Sequence, residues 1–173
     1  NRLLTNSSWH KAILFIIAVL LYGNTLKNEF VLDDNIVLRK NEFVKKGFAG
    51  MKEILIHDSF KGFFMDDQSG VTVTGGRYRP LTLLFFASLF PFLGLNPIYY
   101  HLINILLFAV LGLILYQTLK KLLDFKFAHI STPIAFLSSI LFVTHPIHTE
   151  VVSNIKGLDE IFSLLFSMLS MLF

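Results

Sequence analysis

Long apolar segments limit the folds open to this chain more than any other feature of its sequence. The first is the unbroken run Ala12–Gly23, and the stretch Trp9–Leu26 around it has about the 20 residues that a helix needs to cross a bilayer. Arg2 and Lys11 precede the run, and Trp9 and Tyr22 lie near its ends, as interfacial anchors do. A cleaved signal peptide has an apolar core of similar length, but the small-x-small cleavage pattern is missing. The segment therefore predicts a retained membrane helix with its N-terminus in the cytoplasm.

The composition supports a membrane protein and excludes several other classes. Hydrophobic residues make up 54% of the 173 positions and the mean hydropathy is +0.63, which is too apolar for an ordinary soluble domain. The formal net charge is only +3 and no long basic run is present, so nucleic acid is excluded as a partner. The chain has no cysteine, which excludes a disulfide framework and thiolate metal sites.

Later apolar segments predict further spans. Together with the first, the expected spans are 9–26, 98–119, 133–144 and 158–173, and the predicted fold is an all-α membrane protein. The chain starts without Met and stops inside an apolar run at Phe173. We interpret residues 1–173 as the N-terminal part of a longer polytopic module.

A polar segment from Asn24 to Arg79 follows the first span. It holds nine of the 15 Lys and Arg residues and eight of the 12 acidic residues. The sequence predicts a short helix around Met51–Ile56 and an extended piece, Val71–Thr74, before a turn at Gly75–Gly76. Loops of this length are usually functional or disordered. Its phenylalanines favour the functional kind.

The apolar segment after this loop, Leu81–Leu95, is interrupted by Pro91 and is short for a span. Pro80 suits the first position of a helix. The basic residues before the first span should share the cytoplasmic side with Lys120 and the lysines that follow it, which requires an even number of crossings between them. That condition holds only if 80–95 is a juxtamembrane helix within a non-cytoplasmic loop, 24–97.

Two polar clusters then share the non-cytoplasmic side, and each has alternative interpretations. Asp33 and Asp34 follow an apolar tripeptide that draws them toward the bilayer, where a carboxylate binds protons or cations more strongly. Adjacent residues on extended backbone point in opposite directions, so one of them should face a substrate. The pair could instead be solvated residues that cap a loop helix.

The second cluster is His145-x-x-His148-x-Glu150, which offers three potential metal ligands. Pro146 interrupts the helix on which the two histidines would share a face, so no metal is assigned. The segment then either caps the end of a span or takes part in an active site without metal.

Four more residues are candidates on physical grounds. Arg77 and Arg79 open the juxtamembrane helix, where they bind either a phosphate group or lipid headgroups. His101 and Asn104 are one turn apart at the start of the second span. They either contact a substrate or form hydrogen bonds between helices.

Four motifs follow one another along the chain. In order they are Asn28-x-Phe30-Val31-x-Asp33-Asp34, Tyr78-Arg79-Pro80-Leu81-Thr82, Tyr100-His101-Leu102-x-Asn104 and His145-Pro146-Ile147-His148-Thr149-Glu150-Val151. Together they resemble the transmembrane and tetratricopeptide-repeat O-mannosyltransferases and their bacterial relatives, which belong to the GT-C class. The resemblance covers about Tyr22 to Glu160.

The resemblance implies a polytopic GT-C helical bundle and a function. The expected function is transfer of a sugar such as mannose from a polyprenyl-phosphate donor to a hydroxyl on a protein or glycan acceptor at the non-cytoplasmic face. Asp33 and Asp34 correspond to the catalytic acidic motif, so one of them is the expected base. Arg79, supported by Arg77 or Lys156, would neutralise the departing phosphate. The resemblance leaves open whether a divalent cation bridges the acidic residue and the phosphate.

The chain departs from the family pattern after the His145–Glu150 motif, where the family commonly has Gly-Arg followed by an acidic residue. Here the sequence is Lys156-Gly157-Leu158-Asp159-Glu160, so Lys156 is the candidate replacement and Asp159 a further site residue. No 34-residue helical repeat is visible. The composition favours a bacterial plasma membrane over the endoplasmic reticulum. The alternative function is a non-enzymatic anchor or scaffold, or a transporter fragment.

The predicted topology can be tested by labelling. Because the chain has no cysteine, single cysteines at positions 33 and 148 can be introduced without background. Both should react with a membrane-impermeant thiol reagent from the non-cytoplasmic side. Labelling from opposite sides would overturn the topology.

Overall fold

The described part of this computed structural model comprises residues 7–64 and 77–173, and all of its regular structure is helical. The all-α prediction is confirmed for these residues, whereas Arg2, Val71–Thr74 and Gly75–Gly76 lie outside them. The α-helices are α1 Ser7–Tyr22, α2 Leu32–Asp34, α3 Glu42–Lys45, α4 Met51–Ile56, α5 Pro80–Leu93, α6 Pro97–Thr144, α7 His148–Ser153 and α8 Leu158–Leu172. Other helical turns occur at Gly23–Lys27, Asn35–Arg39, Gly47–Gly50 and Ile155–Gly157.

Within residues 7–64 and 77–173, two helical segments are long and apolar enough to cross a bilayer. One is Ser7–Lys27, with 21 residues, and the other is Pro97–Thr144, with 48 residues. The second consists of two helical arms, because Phe127 has the non-helical dihedral angles φ −134° and ψ 43°. The arms cover 97–126 and 128–144.

The arms of α6 fold back on each other as an antiparallel hairpin. The ring of Phe108 stacks on Phe142 at 5.9 Å between centroids. A Cβ at Gly112 would lie 2.9 Å from a methyl carbon of Val143, so the two backbones approach closely there. The sequence predicted a lysine-rich turn between separate helices, but both arms continue through it and the chain reverses at Phe127. An ion pair one turn apart, Lys120–Asp124 at 2.9 Å, supports helix in this polar region.

Helix α1 packs against both arms of the hairpin. At one end His10 stacks on Phe136, with ring centroids 4.0 Å apart, and its Nδ1 lies 3.2 Å from the hydroxyl of Tyr116. At the other end the Tyr22 hydroxyl donates to the Val143 carbonyl at 3.3 Å. Helix α1 is therefore antiparallel to the first arm and parallel to the second.

Helix α8 completes the bundle and runs parallel to the first arm of α6. The Thr118 hydroxyl donates to the Met168 carbonyl at 3.3 Å, and Lys121 donates to the Leu172 carbonyl. At the opposite end the Asn104 side chain donates to the Asn154 carbonyl at 2.7 Å. The helices thus alternate in direction along the chain, and one end of the bundle carries the lysines of the hairpin turn.

Helix α5 and the short helices of the loop lie at the other end. Helix α5 begins at Pro80, where the sequence predicted a helix start. Phe86 packs edge-on against Tyr100 in the first turn of α6, and Phe85 packs against Phe162 near the start of α8. Gly47, at φ +60°, brings the loop backbone against Pro91. This end therefore unites the loop with the beginnings of α6 and α8.

The tight fold of the loop gives a stability prediction. A Cβ at Gly50 would lie 1.9 Å from the carbonyl oxygen of Phe43, whereas nothing lies within 4 Å of a Cβ at Gly23. We expect Gly50→Ala to lower the free energy of unfolding by about 1–3 kcal/mol, because backbone must move. Gly23→Ala should change it by less than about 0.5 kcal/mol. Thermal unfolding in detergent measures both, and equal midpoints would contradict the packing described.

Candidate active site

A cavity of about 390 Å³ opens at the loop end of the bundle, where α2, α5 and α8 begin. Its charged lining comes from distant parts of the sequence: Asp33, Arg77, Arg79, Lys156 and Asp159. Its apolar wall includes Ile36, Val37, Phe60, Phe64 and Leu83. Among the residues that the structure describes, the lining therefore combines three cations and two carboxylates with an apolar side.

The structure separates the two adjacent aspartates. Asp33 is exposed and lines the cavity, whereas Asp34 is fully buried. The Asp34 carboxylate accepts hydrogen bonds from the backbone amides of Lys156, at 2.9 Å, and Val31, at 3.1 Å. The expectation of extended backbone was wrong, because the pair lies in a helical turn. Successive residues there point about 100° apart, so one enters the cavity and the other the interior.

Burial sets the electrostatics of Asp34. Desolvation raises the pKa of its carboxyl above the usual value of 3.8, although the amides of Lys156 and Val31 lower it. The nearby charge of Asp33 raises the Asp34 pKa further. The two backbone hydrogen bonds thus only partly offset the cost of removing this charge from water.

The arginines are held at the cavity by the loop. The backbone amide of Arg79 donates to the Ser59 hydroxyl at 2.9 Å, and the Ser59 amide donates to the Arg77 carbonyl at 2.8 Å. The Arg79 guanidinium pairs with Asp159 at 2.6 Å, with Arg79 54% and Asp159 11% exposed. The sequence analysis predicted neither the role of Ser59 nor the Arg79–Asp159 pair. Ser59 is 20 residues and Asp159 is 80 residues from Arg79, and a linear pattern does not indicate contacts over such separations.

A second cavity of about 430 Å³ adjoins the first. Arg79, Thr82 and Asp159 line both. Beyond them the second cavity follows the surface between α5 and α8, past the apolar residues Leu81, Phe162 and Phe166 and the polar residues Glu160 and Ser163. A charged cavity therefore continues into a mainly apolar groove along two helices, with the Arg79–Asp159 pair at the border.

His101 and Asn104 are fully buried and do not line the cavity. The Asn104 amide group donates to the carbonyls of Asn154, at 2.7 Å, and Ile155, at 3.4 Å. Of the two interpretations of Asn104, the structure favours a hydrogen bond between segments over a contact with substrate.

The His145–Glu150 segment lies at the same end of the bundle but outside both cavities. His145 is exposed and its Nδ1 accepts from the Ile147 amide, while the His148 ring packs on Phe142 at 4.3 Å. Glu150 is exposed. Within the described residues, no three His, Asp or Glu side chains come together as a metal site. The sequence predicted that this cluster would share one side of the membrane with the acidic pair, and the structure places it at the same end of the bundle but not in the cavity that Asp33 lines.

These features define an all-α membrane protein with a cationic cavity beside one end of its bundle. Protein O-mannosyl-transferase TMTC1 of Homo sapiens is 34% identical over 161 residues, covering 93% of this chain and 17% of that protein. Protein O-mannosyl-transferase tmtc2 of Xenopus laevis is 32% identical over 160 residues, 90% of this chain and 17% of that protein. Protein O-mannosyl-transferase TMTC4 of Homo sapiens is 25% identical over 172 residues, 95% of this chain and 22% of that protein.

The resemblance to the TMTC O-mannosyltransferases is confirmed, and the chain is TMTC-like over about nine-tenths of its length. It spans between 17% and 22% of the length of these relatives. No family model matches the chain, and no solved structure matches it.

The environment of Asp34 gives a titration prediction. Because its folded pKa is raised, the stability that Asp34 contributes is full below the unfolded pKa and declines as the pH rises through the folded pKa. Infrared titration of protein with isotope-labelled aspartate should show a carboxyl band that titrates above pH 3.8 and is missing in Asp34→Asn. A midpoint for that band at or below the usual value would contradict the dominance of desolvation.

Proposed function

We propose that this chain is part of a membrane glycosyltransferase that transfers mannose from a polyprenyl-phosphate donor to a hydroxyl of a protein acceptor at the non-cytoplasmic face. The names of its relatives support transfer of mannose to protein. The donor, the acceptor and the face belong to this proposal.

The observation that carries the proposal is the joined pair of cavities. Arg77, Arg79 and Lys156 supply three positive charges, against the two carboxylates of Asp33 and Asp159. The described residues of the first cavity carry a net charge of +1, which suits an anionic headgroup. The adjoining groove between α5 and α8 also includes Glu160 and Ser163, and its apolar side of Leu81, Phe162 and Phe166 suits an apolar chain. A polyprenyl phosphate has both parts, and arginine binds phosphate through paired hydrogen bonds.

The reaction follows from the placement of Asp33 in the same cavity as the cations. The acceptor hydroxyl loses its proton to the Asp33 carboxylate as its oxygen forms a bond to the anomeric carbon of the sugar. The bond between that carbon and the phosphate oxygen breaks, and the lipid phosphate leaves with the electron pair. Arg77, Arg79 and Lys156 stabilise the negative charge that develops on it.

The topology is part of the proposal. Four spans, 9–26, 98–119, 133–144 and 158–173, would belong to a GT-C type bundle, with the loop 24–97 and its juxtamembrane helix 80–95 outside the cytoplasm. The lysines at the hairpin turn favour a cytoplasmic location for that end. The site would then face the outer surface, in a bacterial plasma membrane.

A transporter fragment and a non-enzymatic scaffold are the alternatives. A transporter places its key polar groups near the middle of the bilayer, whereas Asp33, Arg77 and Lys156 lie at one end of the bundle. Binding of farnesyl phosphate to the purified protein separates the proposal from a scaffold, which would show none. Loss of binding in Arg77→Ala would place the ligand in this cavity.

The base assignment predicts the effect of Asp33→Asn. We expect transfer of labelled mannose to an acceptor peptide to fall at least about 100-fold in kcat, because a general base contributes a factor of that order or more. Affinity for farnesyl phosphate should be unchanged or higher, since one negative charge is lost near the phosphate. Glu42→Gln is the matched control, as this carboxylate pairs with Lys45 and lies outside both cavities. Full transfer activity in Asp33→Asn would remove Asp33 as the base.

A further inference from the structure

The buried carboxylate of Asp34 connects two segments that are 122 residues apart. One oxygen accepts from the Lys156 amide at 2.9 Å, and the other accepts from the Val31 amide at 3.1 Å. The same short segments carry Asp33 and the Lys156 side chain, which both line the cavity. The Asp34 carboxylate therefore bonds together the two segments that carry these charged groups of the cavity.

Asn104 holds the second of these segments from the side of α6. Its amide group donates to the carbonyls of Asn154 and Ile155, at 2.7 and 3.4 Å, directly before Lys156. Asn104 is fully buried in a helix that packs on α1 and α8. The turn is thus bonded through its amide to Asp34 and through its carbonyls to Asn104.

The backbone of this turn has little freedom to adapt. A Cβ at Gly157 would lie 2.0 Å from the carbonyl oxygen of Val151, so the turn packs directly on α7. The Gly157 amide also donates to the Asn154 carbonyl at 3.1 Å.

We infer that Asp34 and Asn104 are positioning residues, which clamp the turn 154–157 so that Lys156 and Asp33 face one cavity. The hydrogen-bonded clamp follows from the contacts alone, while its importance for ligand binding rests on the proposed function. Asp34 then acts through Lys156 and Asp33, and it does not remove a proton from the acceptor.

The two adjacent aspartates supply a matched pair of variants. Asp34→Asn keeps the shape of the side chain but replaces one carboxylate oxygen with an NH₂ donor, which would face a backbone N–H donor. Asp33→Asn changes the neighbouring exposed carboxylate and leaves the clamp intact. Asn104→Asp is a second isosteric test, because it removes the donors to Asn154 and Ile155.

Hydrogen exchange in protein reconstituted in nanodiscs tests the clamp without reference to activity. A lost hydrogen bond to a charged group costs about 1.5–3 kcal/mol, so exchange of the Lys156 amide should quicken at least about tenfold in Asp34→Asn. Asn104→Asp should have an effect in the same direction. Asp33→Asn should exchange like the wild type, and amides in the middle of α6 should be unchanged in all three.

The inference is overturned if Asp34→Asn leaves the exchange of Lys156 unchanged, or if Asp33→Asn accelerates it equally. If Asp34→Asn does not fold, Asn104→Asp decides alone. Failure of both variants to accumulate would mean that these residues serve folding in general, and the positioning role would be rejected.

A double-mutant cycle on farnesyl phosphate affinity separates positioning from general destabilisation. We expect Asp34→Asn to weaken binding about as much as Lys156→Ala, and the double variant to be no weaker than Lys156→Ala. Additive losses would overturn the role of Asp34 in positioning Lys156. If the wild type binds no farnesyl phosphate, the proposed function fails, while the exchange result still decides the clamp.

Discussion

The cavity depends on a buried charge that is bonded to backbone. Two backbone amides surround the Asp34 carboxylate, and one of them belongs to a turn 122 residues away. A buried carboxylate is costly unless hydrogen bonds replace its water, and bonds to a charged group are stronger than those between neutral groups. A displacement of the turn at Lys156 would remove one of these hydrogen bonds from the buried charge, so the carboxylate ties the first loop to the start of α8.

Packing of the bundle makes this connection geometrically possible. The α6 hairpin and the alternating directions of the helices bring the end of α1, the start of α6 and the start of α8 to one end. Helix α5 closes the same end through Phe85 and Phe86, and places Arg79 where it pairs with Asp159. The charged cavity thus lies where four helices begin or end, and the apolar groove follows two of them away from it.

Much of the helical structure could be predicted from local patterns. The apolar runs indicated where α1, α6 and α8 lie, and the Pro80 position fixed the start of α5. The hairpin of α6 was harder to predict from the sequence, because Phe127 is not a helix-breaking residue and the lysine-rich segment around it resembles an ordinary loop. Of the site residues, the cations and Asp33 converge on one cavity. His101, Asn104 and the His145–Glu150 segment lie elsewhere, since a polar residue beside an apolar run looks the same whether it binds a ligand or the backbone.

The sequence by itself determined that the chain is helical and apolar, and its motifs indicated the TMTC-like family. Those properties depend on side-chain hydrophobicity and on short spacings, which a linear pattern retains. Only the tertiary structure decided that Asp33 faces the cavity while Asp34 is buried, and that Lys156 bonds to Asp34 through its amide and lines the same cavity as Asp33. The reason is physical: burial and hydrogen bonding depend on which distant segments meet, and neighbouring identical residues differ only in the direction that the helical turn gives them.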